Sequence, residues 1–303
     1  DATQGWIPTT DDDVTDAPLA LNSEGIFGFG NDGSVCDITN LVSNAGVVAS
    51  DVTGVGTARS TLAACEYGVD KGIVGFGYNG SSNVGTTNLV SNAGVVASDV
   101  TAVGTVRRAL AACNYGGDKG IFGYGYTTTH VSMSNLVTNA GVVGTDVTGV
   151  GTAREVPAAC EYGGDKAIFG YGEPTTAVTN LVSNTGVVAT DTTGVGTARY
   201  GIAACSYGND KGIFGYGSTG SVVSMTNLVS NAGVVATDVT GVGTTRYYLA
   251  ACEYGNDKAI FGFGNNGGTK YGVTNLVSNA GVVATDVSAV GTARTAIAAC
   301  SFN

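Results

Sequence analysis

Seven cysteines and one histidine are the residues of this sequence with the widest chemical range. A ring of thiols can bind a soft metal ion. The chain has no Cys-x-x-Cys spacing and His130 is its only histidine, so we interpret the repeated thiols as small side chains packed in a crowded core. Cys36 lies outside the repeated pattern. The six repeated cysteines end the phrase Ala-Ala-Cys, and they are Cys65, Cys113, Cys160, Cys205, Cys252 and Cys300.

Arginine and aspartate also recur with a fixed spacing. Each repeated arginine follows an aspartate by eight residues, as Arg59 follows Asp51, and precedes a repeated cysteine by six. A pair that returns six times is unlike a single active site, so we expect it to fix the loop between the outermost and innermost strands of each unit. The repeated arginines are Arg59, Arg107, Arg154, Arg199, Arg246 and Arg294.

The same inventory argues against catalysis. One histidine can form neither a two-histidine copper centre nor a convincing set of Ser-His-Asp triads, so we expect no enzyme, no cofactor and no metal site. The formal net charge of −11 disfavours nucleic acid as a partner. No apolar run approaches the roughly 18 residues of a membrane helix, so we expect no membrane insertion.

Six near-identical units of about 47 residues position these side chains over residues 25–303. Each unit contains four short extended segments separated by turn signals. This pattern predicts an all-β, six-bladed β-propeller with four-stranded blades. A parallel β-helix is the rival, although its coils are usually much shorter. Residues 1–24 are expected to form an N-terminal arm or linker.

The phrase Lys-Gly-Ile-Phe-Gly-Tyr-Gly at Lys119 recurs with small changes in all six units. Strand alternation predicts that Phe122 and Tyr124 share one face and that Gly123 lies on the other. The rings of one blade would then pack against the glycine-lined face of the next.

The repeat begins partway through a unit, which predicts how the ring closes. The first unit lacks its own Ala-Ala-Cys strand, and the chain ends on one, Ala-Ala-Cys-Ser-Phe-Asn. We therefore expect the C-terminal strand to complete the first blade, which would remove two exposed sheet edges.

The order of arginine, small-residue strand, turn and Ile-Phe-Gly-Tyr-Gly resembles the kelch repeat, and the resemblance covers residues 25–303. The texture of TNLVSNTGVVATDTTGVGTAR also resembles repeat proteins of tailed bacteriophages. The first resemblance implies a propeller fold. The second implies a virion-associated or extracellular location.

Differences between the six units collect at two places. One is the loop after the second strand, and the other is the start of the inner strand, directly after each repeated arginine. Antiparallel topology places both at the same end of the disc, where we expect a ligand to bind or, alternatively, neutral drift of exposed loops. The candidate ligand-binding residues are Tyr200, Tyr247, Tyr248, Tyr126, His130, Tyr271, Arg108 and Glu155.

The sequence thus predicts a non-enzymatic recognition or structural propeller, a bacteriophage fibre, tail or capsid-decoration component. Its expected partners are a host-surface glycan or protein, and other virion or fibre subunits through the N-terminal arm. A secreted lectin-like carbohydrate-binding propeller and a purely structural subunit of a filament or capsid are the alternatives.

Overall fold

The computed structural model describes residues 24–101 and 103–302, and every helix or strand within them is a β-strand. Residues 1–23 of the expected N-terminal arm lie outside the described residues. The strands are, in chain order, β1 (Glu24–Asn31), β2 (Val35–Val42), β3 (Ala63–Tyr67), β4 (Lys71–Gly75), β5 (Thr87–Val90), β6 (Ala111–Tyr115), β7 (Lys119–Gly123), β8 (Ser134–Val137), β9 (Ala158–Tyr162), β10 (Lys166–Gly172), β11 (Thr176–Val182), β12 (Ala203–Tyr207), β13 (Lys211–Gly215), β14 (Thr226–Val229), β15 (Ala250–Tyr254), β16 (Lys258–Gly262), β17 (Thr274–Val277) and β18 (Ala298–Phe302).

The strands form six antiparallel sheets of three, which we call units 1 to 6. Units 2 to 6 use consecutive strands, from β3-β4-β5 to β15-β16-β17, and unit 1 has the order β18-β1-β2. In unit 1, Glu24 of β1 lies opposite Phe302 of β18, so the C-terminal strand completes the first sheet as the sequence predicts. The first strand of each order is called inner, the second middle and the third outer.

The six units follow one another in a propeller-like arrangement. Each inner strand contacts the inner strands of the two neighbouring units, and β18 contacts both β3 and β15. Each hydrophobic cluster combines residues of two adjacent units, as where Tyr124 of unit 3 packs with Phe169 of unit 4. The core is therefore divided among the spaces between sheets.

The prediction of four-stranded blades is wrong. The fourth segment of each unit makes only two isolated bridges to the outer strand, Thr39 with Val52 and Val42 with Val48 in unit 1. The buried side chain of Asn40 explains the interruption, because its Nδ2 donates to the Ala49 carbonyl at 2.9 Å. A side chain thus takes an acceptor that a continuous ladder would use.

Glycine and phenylalanine meet between the units as predicted. A Cβ on Gly123 would lie 2.7 Å from Cζ of Phe169 in the next unit, and the same contact relates Gly75 to Phe122 at 2.9 Å. The expected side of Tyr124 is wrong, because its ring packs on Phe169 of unit 4 while Phe122 packs on Phe76 of unit 2. Tyr124 has a φ of 63°, and this left-handed conformation breaks the alternation of a strand.

Candidate functional site

The two variable places of the sequence meet at one end of the ring. The residue after each repeated arginine forms a bridge with the first residue of the variable loop, as Arg108 does with Tyr126 and Tyr200 with Ser218. In the Arg108 bridge the backbone N···O distances are 2.8 and 3.0 Å. We call the surface formed by these bridges and loops the varied face.

A cycle of six backbone hydrogen bonds surrounds the axis at this face. Each N–H donates to the carbonyl of the equivalent residue in the preceding unit, with N···O distances from 2.7 to 3.4 Å. All six residues adopt the left-handed backbone conformation, with φ between 45° and 61°. In this conformation each N–H points toward the equivalent residue of the preceding unit. The donors are Thr61, Ala109, Val156, Gly201, Tyr248 and Ala296.

Three tyrosines of the varied face form one aromatic cluster. The ring centroids of Tyr200 and Tyr247 lie 6.2 Å apart, and those of Tyr247 and Tyr248 lie 4.6 Å apart. Tyr248 lines the mouth of the axial cavity. Burial, and then the charge of Glu155, raises the pKa of Tyr248 to about 12. Its hydroxyl therefore stays protonated and can donate a hydrogen bond at any physiological pH.

A second cluster combines charged and aromatic side chains from units 2, 3 and 4. The Arg108 guanidinium lies 5.1 Å from the Tyr126 ring centroid and 5.3 Å from that of Tyr78. The Tyr126 and His130 ring centroids are 5.6 Å apart, and His130 Nε2 lies 3.7 Å from Glu155 Oε1. The cluster offers cationic, anionic and aromatic groups within one patch.

Not every predicted ligand residue joins these clusters. Tyr271 stays within its own loop, where Asn266 Nδ2 donates to its hydroxyl at 2.8 Å. Conversely, Tyr78 and Asn83 were missed as candidates, although Asn83 Nδ2 donates to the Thr127 carbonyl at 2.9 Å and supports the neighbouring loop. The sequence does indicate Tyr78, because it begins the unit 2 loop as Tyr126 begins that of unit 3.

Alternate residues of the inner strands line an axial channel. From the varied face inward, the first ring is apolar, the second consists of six alanines and the third is polar. The first ring consists of Leu62, Leu110, Pro157, Ile202, Leu249 and Ile297. The third ring, at the opposite end, consists of Glu66, Asn114, Glu161, Ser206, Glu253 and Ser301.

The third ring contains three carboxyl groups that sequence reasoning missed. Burial raises the pKa of Glu66 to about 8 and that of Glu161 to about 7, and it raises that of Glu253 well above the ordinary value. The signal was the residue after each repeated cysteine, which alternates between glutamate and a neutral polar residue around the ring. We call this end of the channel the acidic mouth.

The six repeated arginines are completely buried between units. Arg199 makes one of the fullest sets of contacts, with its guanidinium 4.5 Å from the Tyr171 ring centroid of the preceding unit. Its Nε donates to the Tyr216 carbonyl at 2.8 Å, its Nη2 to Asn227 Oδ1 at 2.6 Å and its Nη1 to the Thr197 carbonyl at 3.1 Å. Each arginine therefore joins two sheets and the loop that leads into its own strand.

The expected partner of each arginine is wrong. Arg199 lies 3.7 Å from Asp238, which follows it in the chain, and not beside Asp191, eight residues before it. Asp191 instead accepts hydrogen bonds from the backbone and hydroxyl of Thr152. Each aspartate, which follows the outer strand, therefore binds the loop that precedes the inner strand of the same unit.

The repeated cysteines pack against the middle strand of the next unit. A Cβ on Gly120 would lie 2.6 Å from Sγ of Cys65, and one on Gly212 would lie 2.4 Å from Sγ of Cys160. All seven cysteines are free thiols, with Cys36 half-buried and the other six buried. Burial raises the pKa of each of these six thiols.

Comparisons with known proteins give no match, either to a protein-family model or to a curated protein. Within residues 24–101 and 103–302, no three or more His, Cys, Asp or Glu residues are grouped so as to hold a metal ion. The same part of the chain contains no helix of a length and hydropathy suited to crossing a membrane.

Proposed function

We propose that this chain is a non-enzymatic recognition module, a six-bladed propeller whose varied face binds a host-surface glycan in a virion or extracellular setting. One observation carries the proposal: the two most variable places of six otherwise near-identical units, the loop after the second strand and the residues after each repeated arginine, meet at one end of the ring. Drift on exposed loops would scatter these differences, whereas a binding site requires them to be adjacent. The virion setting rests on the resemblance of the repeated sequence to repeat proteins of tailed bacteriophages.

The chemistry of the varied face suits a sugar ring. Tyr200, Tyr247 and Tyr248 supply flat apolar surfaces with polar tips, which stack on the C–H face of a pyranose and bind its hydroxyls. Arg108 and Glu155 supply charged hydrogen-bonding groups in the second cluster of the same face. Each aromatic contact contributes roughly 0.5–1.5 kcal/mol beyond area burial, so several must act together at a shallow site.

A glycan array tests the proposal. We expect the wild-type protein to bind a restricted set of glycans, and the triple variant Y200A/Y247A/Y248A to lose that binding. The matched control replaces Asp210 and Lys211 by alanine at an invariant turn and should bind as the wild type does. Since Tyr248 is largely buried, the double variant Y200A/Y247A repeats the test if the triple variant melts early. Binding that survives both tyrosine variants, or is lost in the control, would contradict the proposal.

A structural subunit is the second candidate, and a ring of exposed valines favours it. These side chains occupy the same position in every unit and are between 59% and 65% exposed. They are Val47, Val95, Val142, Val187, Val234 and Val282. An assembly through this ring would be visible as concentration-dependent sedimentation that disappears when the six valines are replaced by threonine. The absence of assembly at high concentration would exclude this candidate.

A further inference from the structure

The acidic mouth lies at the other end of the channel from the varied face and is built differently. Its three glutamates come from units 2, 4 and 6, and neutral polar residues from units 1, 3 and 5 stand between them. The carboxyl groups are thus distributed about the axis with approximate threefold symmetry. None of the side chains that line this cavity is basic.

Two of the three carboxyl groups accept a hydrogen bond from the preceding unit. Ser301 Oγ donates to Glu66 Oε2 at 3.3 Å, and Asn114 Nδ2 donates to Glu161 Oε2. Glu253 accepts no side-chain hydrogen bond within the described residues. Glu253 is partly exposed and lines the cavity at this end of the channel. An enclosed carboxyl group that faces a cavity without a partner stays protonated, unless a cation joins it and stabilises the ionised form.

The groups around Glu253 do not supply that cation. Those that act on its carboxyl group are Glu66, Glu161 and Asp257, all of them acidic. The neighbouring Lys258 lies on the turn, with its Nζ 2.8 Å from Asp257. Ionisation of these carboxyl groups makes the field inside the mouth negative, and no basic side chain that lines the cavity offsets it, so the mouth is open to a ligand that carries positive charge.

The rest of the channel indicates which cation fits. The glutamates are not grouped closely enough to ligate one metal ion directly. Immediately behind them are six alanines, and behind those the ring that contains Leu62 and Ile202. A carboxylate ring in front of an apolar lumen matches a ligand with a cationic head and a hydrocarbon stem.

We propose that the acidic mouth binds a primary alkylammonium group. The ammonium donates to Glu253, with Glu66 and Glu161 on the other sides of the mouth, and the alkyl stem lies along the alanine ring. This site is separate from the varied face and does not depend on the recognition function proposed for it.

Isothermal titration with n-hexylammonium chloride at pH 8 tests this site. We expect saturable binding to the wild-type protein, and binding at least about tenfold weaker to E253Q, since one charge-assisted contact is lost. The triple variant E66Q/E161Q/E253Q should bind no hexylammonium. Glutamine keeps the size of glutamate and its hydrogen-bond acceptor, so these variants should fold, and their melting curves verify it.

Three controls make the result decisive. Hexan-1-ol has the same stem without the charge, so equal binding of the alcohol would overturn the ammonium assignment. Magnesium chloride that competes fully with hexylammonium would overturn it in favour of a hydrated metal ion. The variant D32N, in an exposed loop, should bind as the wild type does. Hexylammonium binding that persists in the triple glutamine variant would refute the site.

Discussion

The carboxyl groups of the acidic mouth should make the stability of the protein depend on pH, and the contribution of Glu161 can be calculated. Burial raises its pKa from 4.5 to about 7, Asn114 opposes the shift by donating a hydrogen bond, and Asp165 adds to it. The folded protein therefore holds this proton more tightly than the unfolded chain does. Stability from this group is fully present below pH 4.5 and is lost as the pH rises through about 7.

The size of the effect follows from the shift. The pKa changes from 4.5 to about 7, and each unit corresponds to about 1.4 kcal/mol, so the free energy of unfolding falls by about 3 kcal/mol across this window. For a chain of this size, roughly 2–4 °C per kcal/mol gives a melting temperature lower by about 6–12 °C at pH 8 than at pH 5. This value is for Glu161 alone; Glu66, whose pKa burial raises to about 8, adds a fall of its own over the same range and extends it to higher pH.

Melting temperatures measured between pH 5 and pH 8.5 by calorimetry provide the assay. The variant E161Q should lose the part of the pH dependence that Glu161 contributes, about 3 kcal/mol, and become more stable than the wild type at pH 8. The exposed Asp32→Asn is the matched control and should keep the wild-type slope. Equal wild-type melting temperatures at pH 5 and pH 8, or a parallel slope in E161Q, would refute the reasoning.

Other carboxyl groups titrate outside this window. Burial opposes the shift at Asp99, but hydrogen bonds from Thr57 and Asn88 bring its pKa below the ordinary value. The equivalent aspartates of the other units behave in the same way. Their stabilisation is present above the ordinary aspartate pKa of 3.8 and is lost only as the pH falls below it. These aspartates therefore do not cause a fall in stability between pH 5 and pH 8.

Two further predictions concern how the units fit together. Gly123→Ala should lower the free energy of unfolding by about 1–3 kcal/mol, because its Cβ would lie 2.7 Å from Phe169 Cζ. The control is Gly28→Ala at the same repeat position, where the Cβ meets only a Thr39 methyl group at 3.4 Å. In chemical denaturation, the free energy of unfolding of this control should stay close to that of the wild type. Removal of residues 294–303 should expose strand edges of unit 1 and lower the free energy of unfolding by several kcal/mol, because buried apolar surface is lost. A truncated protein that stays monomeric with an unchanged melting temperature would contradict the pairing of β18 with β1.

The repeat made much of the fold predictable, because six copies of one phrase show which features are general. The pairing of the C-terminal strand with β1 followed from a unit that lacks its own inner strand. The contact of Gly123 with Phe169 followed from strand alternation and residue size. The meeting of Arg108 with Tyr126 at the varied face followed from antiparallel order alone. Each of these inferences uses geometry that neighbouring strands impose.

The wrong or missing predictions concern residues whose contacts cannot be inferred from their neighbours in the chain. The eight-residue spacing of Asp191 and Arg199 indicated a pair, yet Arg199 contacts Asp238 because the unit closes around its own first loop. The left-handed φ of Tyr124 cannot be read from a phrase that alternates as a strand does. Glu253 was overlooked because its importance depends on Glu66 and Glu161, which lie far from it in the chain and approach it only around the axis.

The two ends of the channel should respond to mutation independently, and this follows from their separation. Five residue steps, most of them in strand β3, separate the varied-face ring at Thr61 from the acidic ring at Glu66, which corresponds to roughly 16 Å along the axis. The screening length at physiological salt is about 8 Å, and the apolar first ring and the alanines between the ends carry no charge. Neutralising Glu253 should therefore leave glycan binding at Tyr200 and Tyr247 unchanged, and replacing these tyrosines should leave hexylammonium binding unchanged. A glycan affinity that shifts in E253Q would show that the channel couples its two ends.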